Sequence, residues 1–271
     1  MTVSVRTSNS LSGHELTASG HGPTAGMVAQ FALLMAMAAG VGLGSAGWVT
    51  GATYAVTVWL LLSHALHRAG MRSLGPANLV TLARATLVGG VAAVVADSVG
   101  GSAPVGVLVT LATVALVLDA VDGQVARRTG TTSALGARFD METDAFLILV
   151  LSVFVAGSLG LWVLAIGAFR YLFVAAAYLL PWLRAPLPPT LARKAVAAVQ
   201  GIVLVVAGAD VLSKPLAIIL VGGALALLGW SFGRDIAWLW RAGRPEAVAA
   251  AWARDTNLPA QTRRRVHQFS R

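Results

Sequence analysis

Long apolar runs broken by short polar stretches make up most of this chain. A bilayer core about 30 Å thick is crossed by about 20 apolar residues of helix. Runs of that length fall near residues 27–47, 49–66, 77–97, 103–121, 139–158, 160–180, 192–211 and 214–232. Strands of a lipid-spanning barrel would alternate apolar and polar residues with period 2, and no such alternation occurs. The pattern therefore predicts an all-α polytopic bundle of about eight transmembrane helices. Residues 1–26 are rich in Ser, Thr, Gly and His, with Arg6 as their one basic residue. A signal peptide has its charged start close to the apolar run, so this stretch reads as a disordered cytoplasmic tail ahead of a retained helix.

Composition narrows the class. Hydrophobic residues are 57% of the chain, charged residues only 11%, and mean hydropathy is +0.76. A soluble domain carries about 25% charged residues, and a disordered chain combines high charge with low hydrophobicity. Both are excluded. The absence of cysteine removes disulfides, thiol catalysis and Cys-ligated metals.

Charge then orients the bundle. With the N-terminus cytoplasmic, 17 of the 20 basic residues fall on the inner side, Lys214 lies outside, and Arg84 and Arg170 lie within spans. The positive-inside rule puts both termini and the inner connections in the cytoplasm, as in a multi-pass protein of the cell membrane. The net charge of +9 is accounted for by orientation and contact with anionic lipid. No aromatic–basic interleaving accompanies it, so nucleic acid is not an expected partner.

The acids are few and grouped. Five of 11 lie between positions 119 and 144: Asp119, Asp122, Asp140, Glu142 and Asp144. At 1.5 Å per residue, Asp119 sits about 24 Å along a span entered from outside, near the inner boundary of the hydrocarbon. On a helix, Asp119, Asp122, Gly123, Ala126 and Arg127 share one face, and Gly136, Asp140 and Asp144 share another. The two spans are expected as antiparallel neighbours joined by about a dozen residues of turn, with four carboxylates converging at their cytoplasmic ends. Glu142 points away from that face, toward solvent or the lipid interface.

Carboxylates crowded in a low dielectric repel one another unless a cation neutralises them. Hard oxygen donors without Cys or a close His select Mg²⁺, Mn²⁺ or Ca²⁺. Gly123 and Ala126 keep the helix face low enough for a bulky ligand, and Arg127 offers a fork suited to phosphate oxygens. The set describes a metal–diphosphate site at the membrane surface. There a carboxylate could take a proton from an attacking hydroxyl while the cation draws charge from a leaving phosphate.

These residues resemble the signature of the CDP-alcohol phosphatidyltransferase family, D-x2-D-G-x2-A-R-x8-G-x3-D-x3-D. Every fixed position is filled, by Asp119, Asp122, Gly123, Ala126, Arg127, Gly136, Asp140 and Asp144. The segment from Gly75 to Arg84 is similar to the Pro-Asn-x-x-Thr-x-x-Arg opening of the family's first core helix, with Ala77 intervening between Pro76 and Asn78. The resemblance implies a six-helix core with two additional N-terminal spans. It implies transfer of a substituted phosphate from a CDP-alcohol, with CDP-diacylglycerol as donor, to a small alcohol, releasing CMP in phospholipid biosynthesis.

By the same resemblance, Asp119, Asp122 and Asp140 would be metal ligands for Mg²⁺ or Mn²⁺. Asp144 would complete the metal site or act as general base. Asp119, Asp122, Gly123, Ala126, Arg127 and Gly136 would contact the cytidine diphosphate. The family is typically homodimeric. Ala145 follows Asp144 where members acting on glycerol phosphate often carry Lys. The implied organisation is a tail at 1–26, two extra spans within 27–66, the core at 67–240 and a basic tail at 241–271.

Other polar residues have two readings each. Arg84 lies at the depth of the acids, and Arg170 lies mid-span where an unpartnered guanidinium is costly. Arg193 and Lys194 open the seventh span. All four are candidates for contact with acceptor or substrate phosphate, and each could instead be structural or topological. His64 and His67 read as interfacial, Trp182, Trp230, Trp238 and Trp240 as interface anchors, and Gly40 and Gly44 as a close-packing pair. Two other classes compete with the transferase. An intramembrane prenyltransferase would carry a second Asp-rich motif, and a cation transporter using the aspartates would show repeated halves.

Overall fold

The computed structural model describes residues 22–69, 76–99, 101, 104–129, 134–184 and 191–242. Of residues 69, 76–78, 122–129, 134, 181, 184, 191 and 241–242 only the backbone is described. Among the described residues all regular structure is helical: α1 (Gly22–Val41), α2 (Ser45–Ala69), α3 (Pro76–Ser98), α4 (Val105–Thr129), α5 (Ala134–Leu159), α6 (Leu164–Leu179), α7 (Leu191–Gly208) and α8 (Lys214–Ala242). Short 3-10 turns, Leu161–Val163 and Pro181–Arg184, flank α6.

Six of these helices, α1, α2, α3, α5, α8 and, with its preceding turn, α6, are long and apolar enough to cross a membrane. Val105–Val121 of α4 is a further apolar helical stretch, and it leads directly into the signature residues. Eight α-helices are the expected number, and among the described residues six of them qualify as spans by length and apolarity. Large apolar side chains face outward, among them Val28, Leu61, Leu172, Ile219 and Trp240. That exposure suits a lipid surround and would be a liability in water. The protein is thus a polytopic helical membrane protein.

Helix ends depart from the apolar runs. The first helix starts at Gly22, inside the stretch expected to be tail; Pro23 fits the first helical turn, where its missing N–H costs nothing. Residues 1–21 and 243–271 lie outside the described residues. α5 begins at Ala134, so only residues 130–133 separate it from α4. The expected turn of about a dozen residues is therefore mostly helix, and the signature residues Asp122–Arg127 belong to α4.

Two compact units divide the chain, one of residues 1–104 with 117–143 and one of 105–116 with 144–271. In the first unit α1, α2 and α3 pack on one another pairwise. The central member is α3: 67% of its apolar window is buried, against 17% for α1 and 22% for α2. Close approach is made possible by missing side chains. A Cβ at Gly26 would stand 2.6 Å from Leu82, and one at Gly51 would stand 2.5 Å from Leu34.

Gly42 takes a positive φ of 75°, ending α1 in the left-handed conformation that glycine adopts without strain. Its neighbour Gly44 packs against Asp97, whereas Gly40 has nothing within 4 Å of a built Cβ. Among the described residues, Gly44 of the Gly40/Gly44 pair lies at a close contact and Gly40 does not. At the other end of the unit, Leu62, Leu66 and Leu82 form a buried cluster on which Leu135 and Phe139 pack. This seats the start of α5 on α2 and α3 and fixes the position of Asp140.

In the second unit α6 closes on α5 at Gly167, where a Cβ would lie 2.6 Å from the Leu149 Cα. α7 and α8 pack together, tied by Gln200, whose buried Nε2 donates to the Ala224 carbonyl at 2.9 Å. Phe232 of α8 meets Phe169 and Phe173 of α6 with ring centroids 5.3 and 5.5 Å apart.

Candidate functional site

The site is built around Arg84, eight residues into α3 and fully buried. A buried guanidinium is tolerated only when its charge is matched and its donors are used. Its Nη1 donates to Asp119 Oδ1 at 2.5 Å. Its Nη2 donates to Asp140 Oδ1 and, at 3.1 Å, to the Asp140 carbonyl. One planar fork thus joins three helices: α3 supplies the cation, α4 brings Asp119 and α5 brings Asp140. The two carboxylates are far more open than the cation, with side-chain exposures of 40% and 37% against 1% for Arg84.

Asp144 stands one turn beyond Asp140 on the unbroken α5 helix, so its place beside Asp140 follows from helix geometry. One carboxylate oxygen from each of Asp119, Asp140 and Asp144 lies within 4.8 Å of the others. Three hard oxygen donors so grouped can hold a hard divalent cation and do not suit zinc or copper, which favour nitrogen and sulfur. With Arg84 counted, three carboxylates carry two net negative charges, the charge of one divalent ion.

Of the residues expected at the site, Asp119, Asp140 and Asp144 are brought together. Gly136 lies one turn before Asp140 on the same face of α5. The side chains of Asp122, Gly123, Ala126 and Arg127 lie outside the described residues, although α4 runs helically through all four. Glu142 is exposed. Arg84, one of the four candidates for phosphate contact or a structural role, is engaged by two of the aspartates. Arg170 is half-buried in α6 and has partners within the protein.

Arg193 places its Nε 3.8 Å from Asp235 Oδ2, and Arg234 reaches Asp235 Oδ1 at 3.8 Å. Asp235 therefore links the start of α7 to the end of α8, while Lys194 is exposed. Sequence reading passed over Asp235. Its signal was an isolated acid in a strongly basic stretch, next to Arg234, which lies one turn after Trp230 and 5.2 Å over its ring.

No curated protein and no solved structure matches the chain. The family model for CDP-alcohol phosphatidyltransferase matches residues 75–232, more than half of its 271 residues. That match runs from the residue before α3 into α8 and takes in Arg84 and the whole aspartate group, leaving α1 and α2 outside. Complete signature, helical architecture and family match agree: the chain belongs to the CDP-alcohol phosphatidyltransferase family.

Proposed function

We propose that the protein is a metal-dependent transferase of phospholipid biosynthesis that moves the phosphatidyl group of CDP-diacylglycerol to the hydroxyl of a small polar alcohol. The observation that carries this reading is the meeting of Asp119, Asp140 and Asp144 oxygens within 4.8 Å. It is supported by the family's general activity, transfer from a CDP-alcohol to an alcohol acceptor.

Asp119, Asp122 and Asp140 would hold Mg²⁺ or Mn²⁺, with Asp144 at the edge of the same group. When bound, the cation neutralises the diphosphate and the charge developing on departing CMP. Gly123, Ala126 and Gly136 leave room for the cytidine diphosphate to lie against the helix backbones, and Arg127 takes phosphate oxygens in a two-point contact.

Asp144 accepts the proton of the acceptor hydroxyl. The acceptor oxygen bonds to the phosphorus that carries the diacylglycerol, the bond from that phosphorus to the bridging oxygen breaks, and CMP leaves with that oxygen and the electron pair. In this reading the site opens to the cytoplasm, both termini are cytoplasmic, and the protein works as a homodimer in the cell membrane. Arg170, Arg193 and Lys194 are candidates for the acceptor's own phosphate, where it has one.

Purified protein incubated with radiolabelled CDP-diacylglycerol, Mg²⁺ or Mn²⁺ and a panel of small alcohols tests the proposal. Release of CMP that depends on both the metal and one acceptor is the expected result. Absence of CMP release with every acceptor would overturn it.

A further inference from the structure

Arg84 stands where a metal site would not be expected to keep a cation. It is completely buried, and its two terminal nitrogens are spent on Asp119 and Asp140, two of the three carboxylates that cluster at cation-binding distance. A positive charge so close should repel a divalent ion. The geometry gives it a different task. Each carboxylate has two oxygens, and the guanidinium engages Oδ1 of each.

We infer that Arg84 is a positioning residue for the metal site: it clamps Asp119 and Asp140 by one oxygen apiece, so that the second oxygens are presented together to a divalent cation. This rests on the metal-dependent reading above. Three features of Arg84 suit it to this role. First, the clamp spans helices. α4 and α5 carry Asp119 and Asp140, and without a shared partner two like charges would turn apart into solvent, to which both side chains are substantially open. Second, a rigid planar fork holds two carboxylates at a fixed spacing, whereas an ammonium group, though it has three donors, sits on a flexible stem and imposes no such geometry. Third, Nη2 also donates to the Asp140 carbonyl at 3.1 Å, which fixes the backbone of α5 as well as its side chain. Ligating carboxylates are commonly held by such outer partners, whose loss costs about 10- to 100-fold in metal affinity.

Positioning and plain charge predict opposite signs. If Arg84 acted only as a nearby positive charge, removing it would tighten cation binding. If it clamps, then even a substitution that keeps the charge should weaken binding.

Mn²⁺ titration followed by electron paramagnetic resonance, on the full chain in detergent, separates them without reference to turnover. Arg84→Lys is expected to weaken Mn²⁺ binding by about 10- to 100-fold, and Arg84→Gln by at least as much, with both proteins monodisperse. Mn²⁺ affinity within about two-fold of wild type in Arg84→Lys, or tighter binding in Arg84→Gln, would overturn the inference. So would failure of Arg84→Lys to fold, since the ion pair would then be a requirement of folding. Wild-type protein that binds no Mn²⁺ would overturn it too. Mn²⁺ binding without CMP release would sink the transferase reading and leave the clamp standing. Metal-dependent CMP release with unchanged Mn²⁺ affinity in Arg84→Lys would do the reverse.

Discussion

Asp140 and Asp144 lie one turn apart on α5, and each brings a carboxylate oxygen within 4.8 Å of the other and of Asp119. Arg84 holds Asp140 through both its side chain and its carbonyl. In the proposed reaction Asp140 is a metal ligand and Asp144 the proton acceptor, so the two should fail differently. Asp140→Asn is expected to lose Mn²⁺ binding and, with it, CMP release. Asp144→Asn is expected to lower CMP release by about 10²- to 10⁴-fold, the range for removal of a general base, while keeping Mn²⁺ affinity within about ten-fold. Glu142→Gln, altering an exposed acid between them, should stay within about two-fold of wild type. Equal loss of Mn²⁺ binding in Asp140→Asn and Asp144→Asn would assign both to the metal and leave the proton without this acceptor.

The aspartate group was legible in the sequence because helical spacing is rigid: residues four apart on α5 must share a face. What spacing could not supply was the partner. Arg84 is 35 residues from Asp119 and 56 from Asp140, and their meeting depends on how α3 packs with the neighbouring helices. The number of helices followed from apolar runs, but their ends did not. α5 begins five residues before its apolar run because the half-buried Leu135 and Phe139 pack on Leu62, Leu66 and Leu82. α8 continues past its run to Ala242, carrying Asp235 to Arg193. Hydropathy reports where lipid is, whereas helix ends are set by hydrogen bonding and local packing.

Asp97 supplies a cap from outside its own helix. Its Oδ2 accepts from the Gly44 amide at 2.9 Å and its Oδ1 from the Gly47 amide at 3.4 Å, at the N-terminus of α2. The first amides of a helix have no partner within it, and an anionic acceptor there also suits the helix dipole. Asp97→Ala should lower stability by about 1 kcal/mol, the usual cost of losing a cap. Asp97→Asn, which keeps an acceptor oxygen, should lose less. Thermal unfolding in detergent reads both, and an Asp97→Ala protein as stable as wild type would show that the contact contributes nothing.

Two glycines in the second unit should respond in opposite directions to one added methyl group. At Gly167 a Cβ would stand 2.6 Å from the Leu149 Cα and 3.1 Å from Ser152 Oγ, so α6 must move off α5. Backbone cannot yield as a side-chain tip can, and Gly167→Ala should cost about 1–3 kcal/mol. A Cβ at Gly222 of α8 would meet nothing within 4 Å among the described residues outside its own helix turn. Gly222→Ala should be neutral or gain up to about 1 kcal/mol from reduced freedom of the unfolded chain. Unfolding midpoints that moved in the same direction for both would contradict the packing of α5 against α6.

Gln30 is a polar residue in the middle of α1, 2% exposed, with neither carboxamide atom hydrogen-bonded among the described residues. It lines a crevice together with Tyr54 and Trp59 of α2 and Leu82 and Thr86 of α3. A buried polar group in that state costs about 1–3 kcal/mol relative to a satisfied one, and replacing it with an apolar group of similar size removes the cost. Leu has nearly the volume of Gln, and the crevice is already lined by Met27, Val58 and Leu62. Gln30→Leu should therefore raise stability by about 1–3 kcal/mol. Because α1 lies outside the family match, CMP release should be unchanged. Thermal unfolding and the CMP assay on the same preparation check the two halves of this expectation. A Gln30→Leu protein less stable than wild type would mean that the carboxamide is hydrogen-bonded in the membrane. One that was stable but inactive would tie the α1–α2–α3 packing to the site that Arg84 organises from the same helix α3.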